Sequence, residues 1–502
     1  LRRTVVGITS CFNFLPFDWA SQWRTRLNWG CQLLIRAFSV EFYPNLVSIC
    51  LMEKRQLRSI LLILVTLSAS FFSKAEVGDR PNIIFIMADD LGYGDLGSYG
   101  QTVIQTPYLD LMAKEGTRFI YAYAGSPVCA PSRSVLMTGM HTGHATVRGN
   151  FGKYGVKGLA GGNGRVPLNA EDVTVAEVLK EAGYVTGMTG KWGLGEPGTT
   201  GHPNEQGFDE WFGYLNQRRA HSYYPDFIWR NKERVDLPGN TDGKKETYTH
   251  DLFAEFALEF VRENRGNRFF LYIPYLIPHS RYEIPDTAPY MNQPWKEDEI
   301  IHAAMVTRMD RDIGRLFALL KELGIDEETI VFFCSDNGAA QRWEGRFDSS
   351  GSLRGRKRDM YEGGIRTPMI VRWPGIVAAG KTNGFPWYFA DVLPTLVDLA
   401  GGQAPDRLDG ISVLPSILGN PQSKDRFLYW EFFENGFQQA VRWKDWKAVR
   451  LALGEPLELY DLASDESETN NIASENPDVV AKFETYLKGA RTDSINWPVE
   501  VQ

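Results

Sequence analysis

Residues 82–90 read NIIFIMADD, an apolar run from Ile83 to Ala88 that stops on two acids, Asp89 and Asp90. A short apolar run with a polar end has the form of a buried strand that delivers its last residues to a sheet edge. The pattern recurs downstream. Arg268–His279 (RFFLYIPYLIPH) reads as a second buried strand, and Thr329–Gly338 (TIVFFCSDNG) as a third that again ends in polar residues. Between them, Thr174–Tyr184 has helical spacing with a glycine stop, and His302–Ile325 places apolar residues at a helical period. Strands alternating with helices imply an α/β fold around a large, mostly parallel sheet sandwiched by helices. After about Gly401 the pattern shifts to short strands (FLYWEFFE, QAVRWKDWKAVRL) and a last helix near Pro477–Tyr486. The expected organisation is a catalytic domain over 76–400 and a smaller C-terminal α+β subdomain over 401–502.

The chain has 502 residues, 43% of them apolar and 23% charged, the profile of a soluble globular protein rather than a disordered one. From Met52 a basic start (Lys54, Arg55, Arg58) leads into an apolar run over Ser59–Phe72 and a small-x-small exit at Ser73-Lys74-Ala75. That order is the form of a secretory signal peptide over 52–75, and the run is too short and serine-rich for a membrane anchor. Residues 1–51 precede this segment and are expected to be non-native upstream translation. The mature protein is expected to begin near Glu76, exported to the periplasm or medium. Segment 1–75 holds nine of the 54 basic and three of the 62 acidic residues, so the remainder carries 45 and 59, a net charge of −14. No global positive field for nucleic acid is present.

Three of the five cysteines (Cys11, Cys31, Cys50) lie in the first 51 residues, leaving Cys129 and Cys334. A chain with two cysteines is not a disulfide scaffold. Ligands in open α/β sheets bind past the carboxyl ends of the strands, and there Asp89, Asp90, Asp336 and Asn337 offer three carboxylates and a carboxamide. Such hard oxygen donors suit Ca²⁺ or Mg²⁺ rather than zinc. An Asp-Asp pair is equally the form of a helix cap or turn.

Cys129 opens the stretch Cys-Ala-Pro-Ser-Arg followed by SVLMTG. This resembles the signature of the type I, formylglycine-dependent sulfatases of the alkaline phosphatase superfamily. The ADD strand end, TGKWGLG (189–195), PHS around His279, SDNG (335–338) and YEGGIRTPMIVRWPG (361–375) follow in the family's order, and the resemblance covers residues 80–475. It implies that Cys129 is converted to formylglycine by a maturation enzyme that reads Pro131 and Arg133, and that Arg133 also holds the aldehyde hydrate. A gem-diol offers one hydroxyl to attack sulfur and a second to expel the sulfated adduct. The resemblance further assigns the divalent ion, Ca²⁺ or Mg²⁺, to Asp89, Asp90, Cys129, Asp336 and Asn337. Lys191 and Lys357 are the implied sulfate-binding lysines, and His279 the proton donor to the leaving alcohol. These roles suit a sulfate ester, whose transition state builds charge on the bridging oxygen.

One position departs from the pattern. Two residues after Lys191 the family usually has a histidine that contacts the formylglycine, and this chain has Gly193. His141 and His144, 12 and 15 residues after Cys129, are candidates to replace it or to bind sugar, with Arg148 nearby. A histidine in that position is also commonly a structural hydrogen-bonder. His202 and His221 are weaker candidates. The implied activity is hydrolysis of sulfate esters, expected on sulfated polysaccharides or oligosaccharides. A phosphonate or phosphodiester hydrolase with the same nucleophile, and a catalytically silent glycan-binding protein, are the alternatives.

Overall fold

The computed structural model describes residues 80–499, so the signal peptide expected at 52–75 and the segment 1–51 lie outside the described residues. The strands are β1 (Asn82–Ala88), β2 (Thr117–Tyr123), β3 (Val185–Lys191), β4 (Glu210–Tyr214), β5 (Phe227–Arg230), β6 (Glu233–Asp236), β7 (Phe269–Pro274), β8 (Thr329–Ser335), β9 (Arg366–Arg372), β10 (Lys381–Asn383) and β11 (Trp387–Tyr388). They form one 11-stranded sheet in the order β10-β2-β9-β8-β1-β7-β3-β4-β5-β6, with β11 also on β2. The centre, β8-β1-β7-β3-β4, is parallel throughout. β9 runs antiparallel to both its neighbours, and β5 and β6 close the far edge antiparallel. The fold is therefore α/β with a mostly parallel sheet, as the strand pattern implied.

β1 is apolar from Ile83 to Ala88 because both of its faces are covered. Ile83, Phe85 and Met87 join one core and Ile84, Ile86 and Ala88 the other, all of them fully buried. Among the described residues, six helices of seven residues or more flank this sheet, α1 (Pro107–Glu115), α2 (Cys129–Thr138), α3 (Val175–Glu181), α4 (Thr249–Glu263), α5 (Glu297–Glu322) and α6 (Val392–Ala400), and a seventh, α7 (Pro477–Leu487), packs on the C-terminal segment. α1, α4 and α5 supply one core, and α2, α3 and α6 the other. Thr174 starts α3 with a reciprocal capping box to Glu177, which is why the sequence signal there was sharp. α2 ends at Gly139, whose left-handed φ of 67° lets its N–H close back on Val135.

The C-terminal segment forms a second, antiparallel sheet of β12 (Phe427–Phe432), β13 (Gln438–Trp443), β14 (Trp446–Arg450) and β15 (Glu458–Asp461). Leu428, Trp430 and Phe432 point into the core of the main sheet, and Tyr429, Val441 and Ala448 pack with Phe483 and Leu487 of α7. The indole of Trp430 donates to the Ala124 carbonyl (2.8 Å). Lys447 is fully buried between Glu362 (3.0 Å) and Glu468 (2.8 Å). Removing one partner from such a buried ion set is strongly destabilising, because it leaves an uncompensated buried charge. Among the described residues, no helix is long and apolar enough to cross a membrane.

Candidate active site

The carboxyl ends of the parallel strands deliver the polar residues to one edge. Asp89 and Asp90 follow β1, Asp336 and Asn337 follow β8, Lys191 ends β3, and His279 lies five residues past β7. Cys129, the first residue of α2, is brought to the same place, and every residue of that helix is buried.

The contacts form one network. Asp89 accepts from Lys191 Nζ (2.6 Å) through Oδ2, and its Oδ1 lies 3.6 Å from Cys129 Sγ. Asp90 accepts from Lys357 Nζ through both oxygens (2.6 and 2.8 Å) and from Asn337 Nδ2 (2.8 Å). Asp336 accepts the Asp90 backbone N–H (3.1 Å) through Oδ1. Its Oδ2 takes Arg133 Nε (3.2 Å) and Nη2 (2.8 Å). Arg133 Nη1 reaches the Lys191 carbonyl (2.5 Å), so one guanidinium joins α2, β3 and the end of β8. Lys357 Nζ stands 3.5 Å from Cys129 Sγ and 3.4 Å from His279 Nε2. The His279 Nδ1 atom faces the Ser280 carbonyl at 2.8 Å, which assigns the proton to Nδ1 and turns Nε2 towards Lys357 and Asp90. Asp90 itself sits at φ 66°, a left-handed backbone uncommon outside glycine and associated with functional sites.

Three cations with buried side chains, Arg133, Lys191 and Lys357, face the three carboxylates Asp336, Asp89 and Asp90. Burial opposes ionisation of Asp89, but Lys191, His279, Arg133 and Lys357 overcome it and hold its carboxyl well below the usual range. Asp336 goes the other way: burial and the neighbouring Asp89 push it up to about 6 despite Arg133. Three carboxylates and the Asn337 Oδ1 atom, which is buried with no hydrogen-bond partner, converge here. This donor set fits a hard divalent cation, which would relieve both the carboxylate repulsion and the orphaned oxygen. Burial pushes the Cys129 thiol to about 12 in spite of Lys191 and Lys357, so at neutral pH it is a protonated thiol, a poor nucleophile.

The structure does not bring His141 to this cluster. His141 stacks on His144 (4.4 Å between ring centroids, 22° apart) and meets the Tyr429 ring at a tilt of 58°, and both imidazoles face Asp409. The His141 Nδ1 atom accepts from the Gly143 N–H, and burial, opposed by Asp409, lowers the ring to about 4. Arg148 pairs with Glu431 and donates to the Thr492 carbonyl, tying the segment to the C-terminal sheet. His202 accepts the Asn204 N–H at a short 3-10 turn.

Gly193 has a backbone reason. Its φ is 84°, and a Cβ there would stand 2.9 Å from the Oε1 atom of Gln217, which occupies the space a side chain at 193 would fill. Gln217 in turn donates to Asn150, whose Oδ1 accepts the Ala130 N–H beside Cys129. Neither Gln217 nor Asn150 carries a sequence signal. His221 is the other residue that sequence reasoning undervalued. Its ring lies 4.1 Å from that of His279 at 25°, its Nε2 is buried without a partner, and burial together with His279 lowers it to about 2.

A buried cysteine at a helix start, ringed by carboxylates, lysines and an arginine past the ends of parallel strands, has the make-up of a hydrolase site for anionic esters. A family model described as Sulfatase matches residues 81–402, and one described as N-sulphoglucosamine sulphohydrolase, C-terminal, matches residues 355–493. The chain is 34% identical over 388 residues to the N-acetylgalactosamine-6-sulfatase of Canis lupus familiaris, covering 73% of this chain and 72% of that one. It is 30% identical over 473 residues to the steryl-sulfatase of Rattus norvegicus, covering 77% and 80%. The solved structure of Ps i-CgsB in complex with k-i-k-neocarrahexaose has a TM-score of 0.72 and 30% identity, over 84% of this chain and 95% of that chain. The phosphonate monoester hydrolase of Agrobacterium radiobacter, with a TM-score of 0.60 at 21% identity, shares the fold. The chain belongs to the sulfatase family and is an enzyme that hydrolyses sulfate esters.

Proposed function

We propose that the protein is an exported, formylglycine-dependent and divalent-metal sulfatase that removes sulfate from sulfated saccharides. The observation that carries the reading is the placement of Cys129 Sγ within 3.6 Å of Asp89 and 3.5 Å of Lys357, in a pocket whose remaining side chains are those expected around a sulfate. The sulfur occupies the position that an oxygen of the aldehyde hydrate takes after maturation. Asp89, Asp90, Asp336 and Asn337 would hold Ca²⁺, or Mg²⁺, beside it. When bound, such an ion supplies positive charge that polarises the sulfate oxygens.

The chain's own side chains do the rest. Lys191 and Lys357 bring two ammonium groups to the sulfate oxygens, where a dry site makes them count for more than in water. Arg133 fixes Asp336 and steadies the residue at 129. His279 directs Nε2 at the leaving oxygen. Burial lowers its affinity for a proton and Asp90 and Asp89 restore part of it; an arriving sulfate anion adds further charge in favour of the imidazolium that serves as acid. The saccharide reading draws support from relatives named for N-acetylgalactosamine-6-sulfate and from the neocarrahexaose complex. Export is supported by the basic, apolar, small-residue order of 52–75.

The test is desulfation of defined sulfated oligosaccharides by matured enzyme, run beside a phosphonate monoester. Sulfate release from a saccharide with little phosphonate turnover is expected. The reverse preference would replace the reading with that of a phosphonate hydrolase.

A further inference from the structure

Arg356, the chain neighbour of Lys357, lines a cavity of about 450 Å³. Gln341, Arg342 and Trp343 wall one side, Arg356 another, and Lys296 with Glu299 at the start of α5 a third. It shares structure with the active site. The backbone N–H of Lys357 donates to the Ala339 carbonyl (3.0 Å), and Arg356 Nη1 donates to Gln341 Oε1 (2.9 Å), so the two loops are laced together. Tyr282, three residues past His279, packs its ring 5.4 Å from Trp343 and stands near enough to Asp90 and Lys357 to feel both charges.

The cavity is built for a negative ligand. Of its two acids, Glu299 is engaged by the Lys296 backbone N–H and by Arg346, and Glu344 is largely exposed beside Arg342. Among the described residues, the exposed side chains of Lys296 and Arg356 have no carboxylate partner, and the Arg356 backbone N–H donates to Asp359 Oδ2 (2.9 Å). Trp343 holds a left-handed backbone, φ 48°, which for so bulky a residue persists only where the surroundings enforce it. Its Nε1 is buried with no hydrogen-bond partner. Arg346, Phe347 and Asp348 all donate their N–H groups to its carbonyl, which keeps the ring at the cavity wall. A solvated charged surface needs none of this. A volume of this size belongs to small-ligand sites, and an aromatic wall with two cations outside any ion pair fits an anionic sugar ring.

We propose that this cavity is an anion subsite that receives a negatively charged group, a second sulfate or a carboxylate, on the sugar next to the one being desulfated. The inference rests on the reading of the active site as a carbohydrate sulfatase. Because the contact lies away from the reacting sulfur, it binds ground state and transition state alike and acts on KM rather than kcat.

The experiment uses matured holoenzyme and three disaccharides that share the same scissile sulfate. The neighbouring sugar is neutral in one, bears a second sulfate in another and a carboxylate in the third. A small aryl sulfate serves as reporter of the active site alone. The wild type is expected to show a KM about tenfold lower for at least one anionic disaccharide than for the neutral one. Arg356→Gln and Lys296→Gln should each erase most of that preference, and Gln341→Glu should do so by neutralising Arg356, while aryl sulfate kinetics stay unchanged. Which anionic disaccharide loses its advantage tells sulfate from carboxylate. Equal KM values for all three disaccharides, or variants that slow the aryl sulfate as much as the disaccharides, would overturn the subsite. Aryl sulfate turnover with no disaccharide cleaved would overturn the carbohydrate reading and the subsite with it.

Discussion

The ammonium nitrogen of Lys357 stands 3.5 Å from the sulfur of Cys129 while its closest contacts are the two oxygens of Asp90, at 2.6 and 2.8 Å. One cation thus touches both the nucleophile position and the carboxylate expected to hold metal. Lys357→Ala is expected to lower kcat/KM for an aryl sulfate by about 10²–10³, the usual loss when one donor to developing charge is removed. Wild-type turnover in that variant would take Lys357 out of the chemistry.

Asp336 links the metal donors to Arg133. Asp336→Ala should empty the site of calcium and abolish turnover. It also strands a buried guanidinium, at a stability cost of about 3–5 kcal/mol. Metal analysis of purified protein and thermal unfolding check the two effects together. Calcium-selective chelation of the wild type should stop activity reversibly, and zinc-selective chelation should not. A variant with full metal content and full rate would contradict the donor assignment.

The rings of His221 and His279 stack 4.1 Å apart, which would make His221 a positioning residue for the proposed acid. His221→Phe keeps the stack and is expected to retain most activity. His221→Ala admits water, weakens the burial that lowers His279, and should move the corresponding limb of the pH–rate profile upward. Identical profiles in the wild type and both variants would show that the stack has no bearing on the acid.

The apolar runs around Asp89, Cys334 and Tyr272 were readable because strands covered on both faces carry no polar interruption, and the acids that end β1 and β8 could then be placed at one edge. Lys191, Lys357 and His279 needed the resemblance, since a lone lysine or histidine has no signature of its own. His141 was placed near the pocket on sequence distance, but α2 carries the chain away from Cys129 and Gly139 turns it towards Asp409. The glycine at 193 reflects a backbone angle and a glutamine 24 residues onward, and neither is encoded in local spacing. The stack of His221 on His279 joins residues 58 apart and was hidden for the same reason.

The buried Lys447 set predicts a pH effect on stability. Burial raises Glu468 to about 7, with Lys447 opposing and Glu362 adding to the rise, from 4.5 in an unperturbed chain. Between those values the folded protein keeps a proton that the unfolded chain releases, so stability falls as pH rises through the window. Glu468→Gln should lessen that fall, read as the difference in Tm between pH 5 and pH 8 relative to wild type. An unchanged difference would show that Glu468 is ionised throughout.

In the proposed mechanism Cys129 is the precursor of the working nucleophile and not the nucleophile itself. The direct measurement is mass spectrometry of the tryptic peptide containing Cys129, from protein produced with a formylglycine-generating enzyme, with hydrazide trapping and the sulfatase rate measured on the same preparations. An aldehyde at 129, a rate that scales with the aldehyde fraction, and a folded but inactive Cys129→Ala are expected. A fully active preparation whose residue 129 is uniformly an unmodified thiol would contradict it.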